Sequence, residues 1–247
     1  MRKIILISIV IALLYSCNSQ SPKTDDANKK HDYSLNPELF IEEAEAELSK
    51  YPKNQDEIII ESINHYQKIV DNTNELNYSK IQNNPDSYKK YFSYTMSEGE
   101  YYLIPKPSVF LKLNEFVEGK NKAFLQAYSL EFEEIEVNDA AIMISDNELI
   151  NRAYLWGELT SSIINEELNK LSVEKYRYYL YLIYFGTDNT PSFGFSDGKF
   201  NKERYNLMLK LSSESPDAVI AESFMEFCSL LEKSDFIKSN DISNFKI

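Results

Sequence analysis

Residues able to do chemistry are few in this 247-residue chain, and they are scattered. The two histidines, His31 and His65, have no second ligand at zinc spacing. His31 lies in a polar stretch, and His65 stands between Asn64 and Tyr66 on a helical segment. A Ser-His-Asp triad would have to use His65, and no nucleophile elbow marks a serine for it. HExxH, GxSxG, the P-loop and GxGxxG do not occur. The spacing therefore implies no catalytic residue, no metal and no cofactor. A hydrolase would need carboxylate chemistry without a recognisable motif.

Carboxylates are plentiful. Glu131, Glu133, Glu134, Glu136 and Asp139 form one run, and Glu42, Glu43, Glu45 and Glu47 form another. Neither has EF-hand spacing. Each reads as a solvated helix face rather than a cation site. Of the two cysteines, Cys228 sits among Phe224, Phe227 and Leu231, a setting for a buried, inert thiol.

The longest turn-rich stretch outside the N-terminal region is Gly186 to Lys199. Loops held by a rigid scaffold often carry function, so Asp188, Asn189, Phe193, Phe195 and Asp197 are the candidate binding residues. Two phenylalanines are unusual for an exposed loop. They either anchor a partner or ligand or plug the groove between the flanking helices. The expectation is packing for Phe193 and exposure for Phe195. Tyr176 to Tyr184 could stack on sugars, but core packing explains these tyrosines better.

The elements that must position this loop read as helices. Six glycines in the whole chain disfavour a hairpin-rich sheet protein. Asn36-Pro37-Glu38, Asn84-Pro85-Asp86 and Ser215-Pro216-Asp217 place a cap before a proline. Ser97 to Glu100 and Ser145 to Glu148 fit capping boxes. Apolar stripes follow Ile59, Ile63, Tyr66 and Val70; Leu149, Ala153, Trp156 and Ile163; and Ile220, Phe224, Phe227, Cys228 and Leu231. Helices are predicted over 37–50, 55–71, 86–96, 98–104, 108–118, 121–135, 146–165, 172–185, 200–212 and 216–233, with a short extended run over 141–144. The 172–185 segment is apolar all round, as a central helix would be.

The chain opens on Arg2 and Lys3, an apolar Ile4 to Leu14 interrupted by Ser8, and Leu14-Tyr15-Ser16-Cys17. A basic start followed by an apolar run of this length marks a secretory signal, and a span would need about 20 apolar residues. The pattern resembles a bacterial lipoprotein signal peptide with its lipobox. The resemblance implies cleavage of residues 1–16, acylation of Cys17 and a place on the outer membrane. Residues 17–36 then read as a tether, polar enough to stay unfolded, with an r.m.s. reach of roughly 20–25 Å. Cys228 is left without a disulfide partner.

Leu207-Met208-Leu209-Lys210-Leu211-Ser212-Ser213-Glu214-Ser215-Pro216-Asp217-Ala218 resembles the turn between two helices of a tetratricopeptide-type repeat, and so does Leu48-Ser49-Lys50-Tyr51-Pro52-Lys53-Asn54. Similar hairpins occur in the outer-membrane protein assembly lipoprotein. The consensus Trp, Gly and Ala of the 34-residue repeat are not in register here. The resemblance implies an all-α body over 37–247, a degenerate array of antiparallel helical hairpins. Phe185 to Pro191, followed by the Leu207–Ala218 hairpin, also resembles uncharacterised envelope proteins and brings no activity with it.

Formal net charge is −13, so phosphate backbones would be repelled and nucleic acid is not an expected partner. The expected partners are the membrane, through lipidated Cys17, and another protein. The expected role is a lipid-anchored, non-enzymatic scaffold for protein–protein interaction. The alternative is a glycan- or peptide-binding lipoprotein using Tyr178, Tyr181, Phe193 and Phe195.

Overall fold

The computed structural model describes residues 37–247, Pro52 and Ile164 excepted. The expected signal segment, Cys17 with its expected lipidation, the expected tether and the expected Asn36 cap lie outside the described residues.

Helix α1 (Pro37–Lys50) buries Phe40, Ile41, Ala44 and Leu48 against α2 (Gln55–Asn83). The predicted stripe of α2 is buried along its length, Ile59 and Tyr66 completely. The helix runs twelve residues beyond its predicted end, with a kink at Asn77. Its polar extension is occupied. Asn74 exchanges two hydrogen bonds of 2.8 Å with the backbone of Leu103. Gln82 does the same with Tyr101, at 2.7 and 2.8 Å.

Those backbones belong to a β-hairpin, β1 (Phe92–Ser97) and β2 (Glu100–Pro105), paired antiparallel from Phe92↔Pro105 to Ser97↔Glu100. Here the predicted helices 86–96 and 98–104 are corrected. Pro85–Tyr88 forms one 3-10 turn, and the supposed capping box at Ser97 is a hairpin turn. Glu98 and Gly99 both have positive φ, as a two-residue turn between twisted strands requires. The two carboxamides of α2 close the outer edge of β2, a role a third strand would otherwise fill.

After α3 (Pro107–Leu113), a 3-10 turn and α4 (Gly119–Glu133), a second hairpin joins β3 (Val137–Asn138) to β4 (Ala141–Ile142). Its second strand, β4, overlaps the start of the predicted extended run over 141–144. Asp139 and Ala140 supply the positive φ at its turn. Asn138 Nδ2 donates to Met96 O at 2.8 Å, which fastens one hairpin to the other.

The remaining helices are α5 (Asp146–Ser162), α6 (Glu166–Tyr184), α7 (Lys202–Glu214), α8 (Val219–Lys233) and the short α9 (Asn240–Ser243). Ser145 caps α5 as expected, its Oγ accepting from Glu148 N at 3.2 Å. Helix α6 starts six residues before its predicted start because Asn165 accepts from both Glu167 N and Leu168 N. Ser215 does not cap α8. That N-terminus is met by Glu158 of α5, whose Oε1 accepts from Val219 N at 3.2 Å, a carboxylate where the helix dipole favours one. Helix α6 is not covered on all sides as a central helix would be, since Tyr181 is 52% exposed.

The body is thus mostly helical, and two small antiparallel hairpins correct the all-α expectation. Consecutive helices pack on each other most closely, α5 on α6 and α7 on α8 above all, and α5 also contacts both α7 and α8. One continuous apolar core runs through these contacts, including all three predicted stripes.

Candidate functional site

The segment after α6 is fixed residue by residue. Gly186 has φ +73, and a Cβ there would stand 2.3 Å from Thr190 O, so only glycine fits. Asn189 donates through Nδ2 to Asp139 O at 2.6 Å and through its backbone to Ala140 O at 2.9 Å. Thr190 Oγ1 accepts from Ile142 N at 3.1 Å. The first half of the loop therefore locks onto the β3–β4 hairpin.

The second half is held from below by Arg204. This buried guanidinium donates to Asp146 Oδ1 through Nε at 2.9 Å, and through Nη1 to Leu182 O, Ile183 O and Ser192 Oγ, the last at 2.6 Å. It satisfies the carbonyl end of α6 and joins α5, α6, α7 and the loop in one network. Phe193, 8% exposed, packs edge-on to Phe200 with centroids 5.2 Å apart. Lys238 Nζ stands 5.9 Å from the Phe193 centroid.

The chain then makes a closed turn. Gly194 N donates to Lys199 O at 2.8 Å, Gly198 N to Gly194 O at 2.9 Å, and Lys199 N to Asp197 Oδ1 at 3.0 Å. Phe195 projects from this turn and is 82% exposed.

The five candidate residues thus part company. Phe195 and Asp197 share one turn, and Phe193 packs beneath it against Phe200. Asn189 is a structural pin, Asp197 closes the turn, and Asp188 is exposed on the other half of the loop. Phe193 is packing, as expected, and Phe195 alone offers a large apolar surface. Among the four rings of the ligand-binding alternative, Phe193 is buried and Tyr178 is half-buried, which leaves Tyr181 and Phe195 accessible.

The acidic run, of which only Glu131 and Glu133 lie on α4, needs a correction. Glu133, Glu134 and Asp139 are exposed, but Glu131 is 4% exposed. Its Oε1 accepts from Trp156 Nε1 at 2.9 Å and Tyr179 OH at 2.8 Å, and its Oε2 pairs with Lys175 Nζ. Arg152 lies alongside, donating to Glu148 Oε1 at 2.8 Å and Glu134 O at 2.9 Å. Burial, and then the Glu131 carboxylate, hold the Tyr179 hydroxyl well above its ordinary pKa. Burial raises Glu136 as well. The stripe Phe124, Tyr128, Glu131 at i, i+4, i+7 carried the signal, because it puts Glu131 on the inner face of α4. A carboxylate met by three donors is a fixed counter-charge, already committed.

The exposed positions Glu42, Glu43 and Glu47 form a solvated face of α1. Burial pushes the Cys228 thiol up to about 12. The His65 ring stacks on Phe40, centroids 5.4 Å apart, and burial lowers its pKa. Among the described residues, no three His, Cys, Asp or Glu side chains gather to hold a metal ion, and no helix is long and apolar enough to cross a membrane.

No protein-family profile matches the chain, and neither the curated proteins nor the solved structures provide a match.

Proposed function

We propose that this chain is a lipid-anchored protein of the outer membrane whose helical body is a scaffold for protein–protein interaction rather than an enzyme. In this reading residues 1–16 are a signal peptide, acylated Cys17 and the stretch to residue 36 form the anchor and tether, and residues 37–247 form the body. The basic start, apolar run and Leu14–Cys17 pattern support the anchor. The close packing of consecutive helices, with α5 seated on both α7 and α8, supports a degenerate tetratricopeptide-like array.

One observation carries the interaction role. Phe195 stands 82% exposed on a turn whose neighbours are hydrogen-bonded to the body. A rigidly presented aromatic ring loses little entropy on docking, and aromatic anchors carry much of the energy of interfaces. The experiment is a quantitative pull-down from membranes with the parent and with Phe195→Ala. The proposal expects one stoichiometric protein partner that Phe195→Ala loses. Equal recovery with both chains contradicts it. The anchor has its own check. Cys17→Ser should lose lipid labelling and move to the soluble fraction, and continued acylation and membrane retention would refute the lipoprotein reading.

A further inference from the structure

Helix α8 carries two stripes. The inner one, predicted from the sequence, is buried in the body. The outer one is Glu222, Met225, Glu226, Ser229, Leu230 and Lys233, at i, i+3, i+4, i+7, i+8 and i+11. These residues line a furrow along the helix. Its first part, about 660 Å³, has Leu209, Pro216 and Ala221 as further walls. Its second, about 500 Å³ and open to the surface, is bordered by Phe245. Met225 borders both parts and is 52% exposed.

The outer stripe is complementary to itself reversed. Turning α8 end for end about the midpoint between Phe227 and Cys228 exchanges Glu222 with Lys233, Met225 with Leu230, and Glu226 with Ser229. We propose that the furrow receives a second copy of this chain, α8 against α8, antiparallel about a two-fold axis. Such an interface presents the same patch from both copies, so every contact occurs twice. Each Glu222 then faces Lys233 of the second copy, and each Met225 faces the second copy's Leu230. Ser229 opposite Glu226 is small enough to let the helices approach to ordinary packing distance, about 8–10 Å between axes.

The charge pattern favours a second copy over an unrelated basic helix. A basic helix would answer Glu222 and Glu226 but would meet Lys233 with a like charge. The reversed stripe brings Lys233 of the second copy to Glu222 at each end, beside Lys210 on the wall, while the two Glu226 side chains, three residues or about 4.5 Å apart along the pair, turn outward to water. The overall charge of −13 opposes association at long range, but screening confines that repulsion to about 8 Å at physiological salt.

The test uses full chains. One carrying Glu222→Cys is coexpressed with one carrying Lys233→Cys, and both are oxidised in membranes. Facing positions come within the ~7 Å between Cα atoms that a disulfide spans. Two copies of position 222 lie eleven residues apart along the pair, about 16 Å, and cannot bond. The proposal expects a disulfide mapped to positions 222 and 233, at least tenfold more abundant than any bond between two chains carrying Glu222→Cys. Met225→Glu in both chains should cut that yield tenfold or more. Glu222→Lys and Lys233→Glu should each weaken copurification of two tagged copies, and the double swap should restore it. Absence of the 222–233 bond, equal yield from Glu222→Cys with itself, or indifference to Met225→Glu would overturn it.

Discussion

The Glu131 cluster and the Phe195 turn are opposite solutions to holding one conspicuous side chain. Around Glu131, three donors from α5 and α6 converge on one buried carboxylate. In the 194–199 turn the backbone closes on itself, and the largest apolar side chain is left facing out. The first region answers its own needs and has no binding capacity left. The second keeps its backbone satisfied and its ring unspent. The contrast separates polar chemistry that stabilises the protein from apolar area available to something else.

Removing the buried carboxylate attacks the contrast hardest. Glu131→Ala leaves Trp156 Nε1, the Tyr179 hydroxyl and Lys175 without their acceptor. Breaking such a buried pair costs about 3–5 kcal/mol. Chemical denaturation followed by the fluorescence of Trp156, the chain's one tryptophan, measures it directly. Glu133→Ala, on the exposed face of the same helix, should stay within about 0.5 kcal/mol of the parent. Equal losses from the two would erase the distinction between buried and solvated acids.

Phe193→Ala comes next. The ring packs on Phe200 beneath the same turn, and truncating a buried phenylalanine costs about 3 kcal/mol or more. A variant as stable as the parent would contradict its role as packing.

Glu136 gives the smallest and most conditional effect. Burial raises its folded pKa above the unfolded carboxylate value near 4.3. The unfolded state therefore loses this proton first, and the group costs stability progressively as pH rises from about 4 through its raised folded value. Glu136→Gln removes that titration. Its stability relative to the parent should grow across that pH window, read as a difference in denaturation midpoints. A constant difference from pH 4 to pH 7 would contradict the burial effect.

The helices were legible where one face is continuously apolar. The stripes at Ile59–Val70, Leu149–Ile163 and Ile220–Leu231 need only the 3.6-residue period, and all lie in the core. The first hairpin was not legible. Ser97 and Glu100 have capping-box spacing, and the partners that close β2, Asn74 and Gln82, lie about twenty to thirty residues away on a helix whose polar end shows no stripe. The site was half legible. Ring type and turn residues pointed to Phe193 and Phe195, and the two rings separate as expected. Arg204, which pins the loop, reads as an ordinary helix-surface cation until Asp146 and the end of α6 close around it. Asn189 and Asp197 looked like binding groups and are turn hardware, because an exposed loop must first satisfy its own backbone.

The central claim is that Phe195 is held out for a partner, and one paired measurement on Phe195→Ala tests it most directly. Its denaturation midpoint and its recovery of the proposed protein partner are read from the same preparation. The account predicts stability within about 0.5 kcal/mol of the parent and association at least about tenfold weaker, as expected for loss of an aromatic anchor. A Phe195→Ala protein that loses several kcal/mol of stability, or that keeps its partner at parental strength, would contradict it.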